Sequence, residues 1–176
     1  MNLKKLLATF LRPIESPTLR FEEPEWPDDL VSEIAILYRL SPDDLRRELY
    51  ITGATVPRKV QFSPVAQRYT LLARALRRLL ANRSDDQDEP DVLVPVRGPV
   101  TLTLPPESKL AGLDRALAEL EAYSPRRARI AELHFYIGLT IEEVAALMET
   151  PVREIRREWH LSSNFVWQAM RQDNGL

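Results

Sequence analysis

Residues 140–170 contain two helix-start signals so close together that only a short helix and a tight turn fit between them. Thr140 with Glu143 forms a capping box, and Thr150 followed by Pro151 is a second N-terminal cap. Apolar side chains recur at helical spacing on both sides of the turn: Val144, Ala145 and Met148, then Ile155 and Trp159. The pattern predicts a helix-turn-helix, with a first helix over 141–148 and a longer second helix.

The second helix of this unit carries cationic side chains at positions that point away from the predicted core: Arg153, Arg156, Arg157 and His160. Cations contact phosphates, and side chains at the start of a recognition helix reach base edges in the major groove. The stretch therefore indicates DNA contact. The alternative is a solvated helix face in which Glu and Arg pair at neighbouring turns.

Composition excludes several other classes of protein. The chain has 176 residues, 44% of them hydrophobic, which suits one or two small domains. It has no cysteine, which excludes disulfides and thiol nucleophiles and fits the cytoplasm. No nucleophile–base set, phosphate loop, metal-ligand spacing or membrane-spanning apolar run is visible. We expect neither an enzyme nor a bound cofactor. The net charge of −2 does not support a protein that coats DNA nonspecifically, because such a protein would be basic overall.

The N-terminal half predicts helices after an irregular start. Residues 1–27 combine a short amphipathic helix over 2–11, either a packed terminal helix or a membrane-surface anchor, with a proline-containing connector. Residues 28–84 form a helical domain, with one helix ending at Gly53 and a loop or short strand over 51–62. A regular helix follows from Pro64, with Val65, Tyr69, Leu72, Leu76 and Leu79 at helical spacing.

Basic charge is concentrated in this half. Residues 41–84 contain nine Lys/Arg and three Asp/Glu, an excess of +6 in a chain of net −2. The helix from Pro64 supplies Arg68, Arg74, Arg77 and Arg78, which predict a face for polymerase or nucleic acid. A solvated helix face is the alternative.

Residues 85–108 form an acidic linker whose second part is either a small hairpin or an extended segment. Residues 109–176 predict a four-helix domain that ends with the helix-turn-helix. Its first helix has the stripe Leu110, Leu113, Leu117 and Leu120, and Leu161, Phe165, Val166 and Met170 of the last helix pack back on it. Ser124 caps the second helix and Gly138 ends it. The fold class is all-α, with two small helical domains joined by the linker.

The run LDRALAELEAYSPRRARIAELHFYIGLTIEEVAALMETPVREIRREWHL resembles the promoter-binding domain of extracytoplasmic-function (ECF) sigma factors of bacterial RNA polymerase. The matching positions are Pro125, Arg127, Ala128, Glu132, Leu133, Phe135, Gly138, Leu139, Thr140, Glu142, Glu143, Ala145, Ile155, Arg156, Arg157, Glu158, Trp159 and Leu161. YTLLARALRRLLANRS is similar to a helix of the family's domain that binds polymerase and melts the −10 element. The family's acidic clamp-docking signature is absent, so the N-terminal resemblance is degenerate. Glu149 stands where the family usually has Gly.

The resemblance implies a transcription initiation factor whose partners are promoter DNA and core RNA polymerase, with an anti-sigma or other regulatory protein as a further candidate partner. The implied DNA-binding residues are Thr140, Pro151, Val152, Arg153, Glu154, Arg156, Arg157 and His160, with Arg126 and Arg127 flanking the DNA backbone. The second hypothesis is a sigma-like, non-initiating regulator or protein-interaction module that keeps the fold but binds a protein partner. The degenerate N-terminal resemblance and the acids Glu149, Glu154 and Glu158 motivate this hypothesis.

Overall fold

Every regular element in the computed structural model is helical across the residues that it describes, 26–55, 64–83 and 110–173. The all-α prediction is confirmed for these residues. The helices are α1 Asp28–Leu37, α2 Pro42–Thr55, α3 Pro64–Arg83, α4 Leu110–Tyr123, α5 Pro125–Glu132, α6 Ile141–Leu147 and α7 Val152–Asp173, with a π-helical turn, Leu133–Ile137, between α5 and α6. The predictions for residues 2–25, 56–62 and 85–108 lie outside the described residues.

Local signals account for the boundaries of α1. Asp28 and Asp29 lie in its first turn, where acidic side chains complement the helix dipole. It ends in a Schellman arrangement, in which the amide of Leu40 donates to the carbonyl of Ala35 at 2.8 Å. Arg39 takes the left-handed conformation that this ending requires, with φ of 52°.

The prediction that a helix ends at Gly53 is wrong, because α2 continues through this residue to Thr55. A glycine inside a helix costs about 1 kcal/mol relative to alanine, which is not enough to end a helix that is otherwise packed. Thr52 is buried one residue earlier, and the hydroxyl of Thr55 donates to the carbonyl of Thr52 at 3.0 Å. Packing and local hydrogen bonds therefore outweigh the weak propensity of Gly53.

Helix α3 packs on two sides. Leu72 and Leu76 of the predicted stripe are fully buried, but Ala73 and Leu80 lie outside that stripe and are buried as well. One side of α3 contacts α2, and α4, α5 and the π-helical turn contact it elsewhere. The two-sided burial places α3 at the centre of the described helices.

The helices before and after residues 85–108 share one hydrophobic core. Buried side chains from Leu30 of α1 to Met170 of α7 belong to a single continuous cluster. The phenol of Tyr38 also donates a hydrogen bond to the backbone carbonyl of Tyr136 across this boundary. The two groups of helices are therefore packed together. Their predicted division into separate domains joined by a linker stays a prediction.

The C-terminal helices follow the predicted stripes with one exception. The four leucines of α4 are buried, and α7 packs on α4 with Val166 and Met170 buried. Leu161 is 40% exposed, so its predicted inward packing is wrong. Ser162 takes the inward position, because the buried stripe on α7 passes through 155, 159, 162, 166 and 170 at steps of three or four residues.

Candidate nucleic-acid interface

The capping box predicted at Thr140 sets the start of α6. The Thr140 hydroxyl accepts from the amide of Glu143 at 3.2 Å, and the Glu143 carboxylate accepts from the amide of Thr140 at 2.7 Å. Gly138, just upstream, is left-handed with φ of 74° and ends the preceding helical turn, as predicted. The chain therefore enters the first helix of the helix-turn-helix in a defined direction.

The turn between α6 and α7 is a Schellman motif centred on Glu149. The amide of Thr150 donates to the carbonyl of Ala145 at 2.9 Å, and the amide of Glu149 donates to the carbonyl of Ala146 at 3.2 Å. Glu149 takes φ of 50°, a conformation that glycine adopts without strain. Glu149, in place of the family's usual glycine, therefore affects the backbone conformation of the turn as well as the charge at the end of α6.

Thr150 takes a different part in the turn from the predicted one. Its hydroxyl donates to the carbonyl of Met148 at 3.0 Å, and α7 begins at Val152 rather than at Pro151. The carbonyl of Pro151 accepts from the amides of Glu154 at 2.9 Å and Ile155 at 3.2 Å. Pro151 thus occupies the cap position, and Thr150 ties the turn to the end of α6.

Buried side chains fix the angle at which α7 leaves the turn. Val144, Ala145 and Met148 of α6 and Ile155 and Trp159 of α7 are all buried, as predicted. The Trp159 ring lies 4.2 Å from the ring centroid of His134 and 5.4 Å from that of Phe135. These aromatic contacts anchor α7 to the π-helical turn. The imidazole Nδ1 of His134 is itself 2.7 Å from the carbonyl of Leu139.

The predicted contact residues on α7 share one exposed surface. Pro151, Val152, Arg153, Glu154, Arg156, Arg157 and His160 are all exposed. Arg153 and Arg157 have no ion-pair partner within residues 26–55, 64–83 and 110–173. We call this surface the recognition face. Its free cations lie in the first two turns of α7, where a helix inserted into the major groove meets DNA.

Three ion pairs surround the recognition face. Arg126 donates to Glu154 at 2.6 Å, Arg127 to Glu158 at 2.6 Å and Arg156 to Glu142 at 3.0 Å. Arg126 also donates to the Thr150 hydroxyl at 3.3 Å, which links the start of α5 to the turn. The hydrogen bond to Glu158, followed by its charge, raises the pKa of Arg127. The acids at 142, 154 and 158 therefore hold arginines of the chain itself.

The four arginines predicted as a basic face on α3 do not share one environment. Arg77 is buried and Arg74 is largely buried, and both bind carboxylates of α4 and α5. Arg78 is half-exposed and pairs with Glu48 of α2 at 3.1 Å, and Arg68 is partly exposed. In this arrangement Arg74 and Arg77 point into the protein, and their role toward polymerase or nucleic acid stays a prediction.

Sequence reasoning assigned no charge-pairing role to Glu132, which is fully buried beside Arg77. The sequence nevertheless contained a signal for this role of Glu132. Glu132 is a lone acid in the apolar run IAELHFYI, and a charge at such a position needs a partner. The partner itself, 55 residues earlier in the chain, could not be read from that run.

The family comparison covers both groups of helices. The model of the ECF sigma factor family matches residues 37–172, from the end of α1 almost to the end of α7. The chain belongs to the ECF sigma factor family. The match includes α2 and α3, which the sequence had related to the family only in part. No curated protein and no solved structure matches the chain significantly.

The family is one of transcription factors rather than enzymes, and RNA polymerase and promoter DNA are its partners. Among the described residues, no helix is long and apolar enough to cross a membrane. The same residues contain no cluster of three or more side chains suited to hold a metal ion. The family membership supports a sigma-factor-like role in transcription.

Proposed function

We propose that this ECF sigma factor initiates transcription by reading promoter DNA with α7 while its N-terminal helices bind core RNA polymerase. The observation that carries the proposal is the recognition face, whose start is exposed while Ile155 and Trp159 on the opposite side are buried. A helix fixed on one side and free on the other can enter the major groove without rearrangement. This role also places the protein in the cytoplasm.

The position of each residue on α7 suggests its contact. Arg153, with Pro151, Val152 and Glu154 around it, lies at the start of the helix and would face base edges of the −35 element. Arg156, Arg157 and His160 would contact phosphates from the following turns. Arg126, Arg127 and Thr140, at the starts of α5 and α6, would flank the DNA backbone.

The ion pairs around the recognition face favour weak binding by the free protein. Exposed Arg–Glu pairs contribute about 0–1 kcal/mol each, so a DNA phosphate can replace the carboxylate at small cost. The carboxylates then remain near the DNA and repel it. Residues 109–176 contain nine Lys/Arg and ten Asp/Glu, so the overall field adds no attraction. Polymerase would compensate by holding α7 at the promoter.

Promoter-dependent transcription with purified core polymerase tests the proposal. Arg153→Ala should lower promoter affinity of the holoenzyme by about 1–3 kcal/mol, or roughly 5- to 150-fold, whereas Arg157→Ala should weaken binding about equally at all DNA sequences. Arg171→Ala is the matched control, because Arg171 is exposed near the other end of α7. Arg157→Ala should also reduce the salt slope of binding by about 1. Transcription that needs neither arginine would sink the contact assignment.

A sigma-like regulator that does not initiate transcription is the second candidate. It is favoured by the burial of Arg74 and Arg77, two of the arginines expected to face a partner. The same assay separates the two candidates. A chain that binds core polymerase or an anti-sigma protein but supports no transcription from any promoter is a regulator.

A further inference from the structure

The first turn of α7 presents an apolar and a cationic side chain next to each other. Val152 is 37% exposed although it is apolar. Arg153 beside it is exposed and forms no ion pair within the part of the chain that the structure describes. The next apolar residues of α7, Ile155 and Trp159, are buried. Val152 is therefore the one exposed apolar side chain in the first two turns of α7.

An ion pair with α5 fixes the start of α7 and keeps its cations available. The carboxylate of Glu154 accepts from Arg126 at 2.6 Å, and Arg126 also donates to the hydroxyl of Thr150 at 3.3 Å. Without Arg126, Glu154 would be placed to pair with Arg157, three residues further along the helix. The contact with α5 therefore leaves Arg153 and Arg157 for the DNA.

The side chains of the first two turns of α7 suit two of the four bases. These turns contain no Asn or Gln, the residues that bind adenine through two hydrogen bonds. Their acids, Glu154 and Glu158, are the residue type that accepts from cytosine, but both are held by arginines of α5. An arginine binds the N7 and O6 acceptors of guanine, and an apolar side chain contacts the methyl group of thymine. Arg153 and Val152 match these two bases.

The spacing of the two side chains limits how far apart the two bases lie. The Cα atoms of consecutive residues are about 3.8 Å apart, which is close to the rise of about 3.4 Å between successive bases of one strand. The short side chain of Val152 reaches the base nearest to it, whereas the longer guanidinium of Arg153 reaches one base pair further. The two bases are therefore expected within two base pairs of each other.

We infer that Val152 and Arg153 determine the promoter specificity of this protein by reading a thymine methyl group and a guanine within two base pairs of each other. The inference rests on the proposed function, because it requires the start of α7 to enter the major groove of the −35 element. It assigns a base-reading role to the exposed apolar side chain of Val152, and it gives Arg153 guanine as its base.

Small chemical changes in the bases test each contact separately. Holoenzyme formed from the full-length chain and purified core polymerase first selects duplexes from a library that is randomised over both promoter elements. Each thymine of the selected −35 element is then replaced by deoxyuridine, which lacks the methyl group, and each guanine by 7-deazaguanine, which lacks the N7 acceptor. The affinity of the holoenzyme for each duplex is measured with wild type, Val152→Ala and Arg153→Ala.

Leu161→Ala is the matched control for Val152→Ala. Leu161 is an apolar residue of the same helix with a similar exposure of 40%. It lies nine residues further along α7, or about 13 Å along the helix axis, and so is too far to reach the same bases. Circular dichroism checks that each variant is folded.

Deoxyuridine at one thymine should lower the affinity of wild type about 4-fold, the effect of one buried methyl-sized group. Val152→Ala should lose this discrimination, whereas Leu161→Ala should keep it. At a guanine within two base pairs of that thymine, 7-deazaguanine should lower the affinity of wild type about 5-fold or more. Arg153→Ala should bind the duplexes with and without this N7 atom equally well.

Two results would overturn the inference. One is a deoxyuridine effect that is absent in wild type or unchanged in Val152→Ala. The other is an Arg153→Ala variant that weakens binding by the same factor at every duplex, because this is the behaviour of a phosphate contact. Failure of the proposed function looks different: the library yields no enriched duplex, or the enriched duplexes support no transcription.

Discussion

Glu149 concentrates the strain of the helix-turn-helix in one residue. A non-glycine residue in the left-handed region costs about 1–2 kcal/mol, and an acid at a helix C-terminus also opposes the dipole. Glu149→Gly should therefore raise the free energy of unfolding by about 1 kcal/mol, after the larger backbone entropy of glycine in the unfolded chain is subtracted. Urea denaturation of the full-length protein measures the change.

Glu149→Ala separates the two sources of the effect. Alanine removes the acid but keeps the Cβ atom at φ of 50°, so it should recover only the electrostatic part. Equal stabilisation by both substitutions would show that the backbone strain is unimportant. The family resemblance had marked this position from the sequence. The positive φ supplies the physical reason that Gly is usual there.

At the scale of elements, Gly53 and Gly138 should respond in opposite ways to the same substitution. Gly53 lies inside α2, and a Cβ atom added there meets no heavy atom within 4 Å. Gly53→Ala should stabilise the protein by about 0.5–1 kcal/mol. Gly138→Ala should destabilise it by about 1 kcal/mol, because Gly138 has φ of 74°. Destabilisation by Gly53→Ala in thermal unfolding would contradict the helix through residue 53.

The errors at this scale share one cause. Strong periodicity with caps predicted α3, α4, α6 and most of α7, because each presents one dominant apolar stripe. Gly53 was read as a helix end because single-residue propensity says nothing about packing. The prediction that Leu161 packs inward is wrong for a similar reason. On a helix of 22 residues, two adjacent rows of side chains are both compatible with the sequence pattern, and packing against the neighbouring helix decides which row is buried.

At the scale of the whole molecule, the sequence predicted the charges but not their partners. Residues 41–84 are basic and Glu132 is a lone acid in an apolar run, yet nothing local links Arg77 to a carboxylate 55 residues away. Ion pairs between residues far apart in the sequence depend on how α3 packs against both groups of helices. The recognition face could be predicted because it depends on one helix alone. The burial of Arg74 and Arg77 could not.

The burial of Glu132 beside Arg77 predicts that the free energy of unfolding depends on pH in a definite direction. The unfolded pKa of Glu is about 4.3 and burial raises the folded pKa of Glu132, so folded Glu132 binds its proton more tightly. Its contribution to stability is then full below about pH 4.3 and is lost as pH rises through the folded pKa. Glu132→Gln cannot ionise. Its unfolding free energy relative to wild type should therefore increase as pH rises between the unfolded and the folded pKa, with a limiting slope of about 1.4 kcal/mol per pH unit.

Urea denaturation of wild type, Glu132→Gln and the exposed control Glu119→Gln between pH 4 and 8 measures this slope. A relative stability of Glu132→Gln that falls with pH would reverse the sign, and would mean that Arg74 and Arg77 hold the carboxylate in its charged form. The outcome also bears on how the two groups of helices are joined. With the expected sign, ionisation of Glu132 is a net cost of the packed arrangement of α3 against α5, because the buried carboxylate loses its hydration.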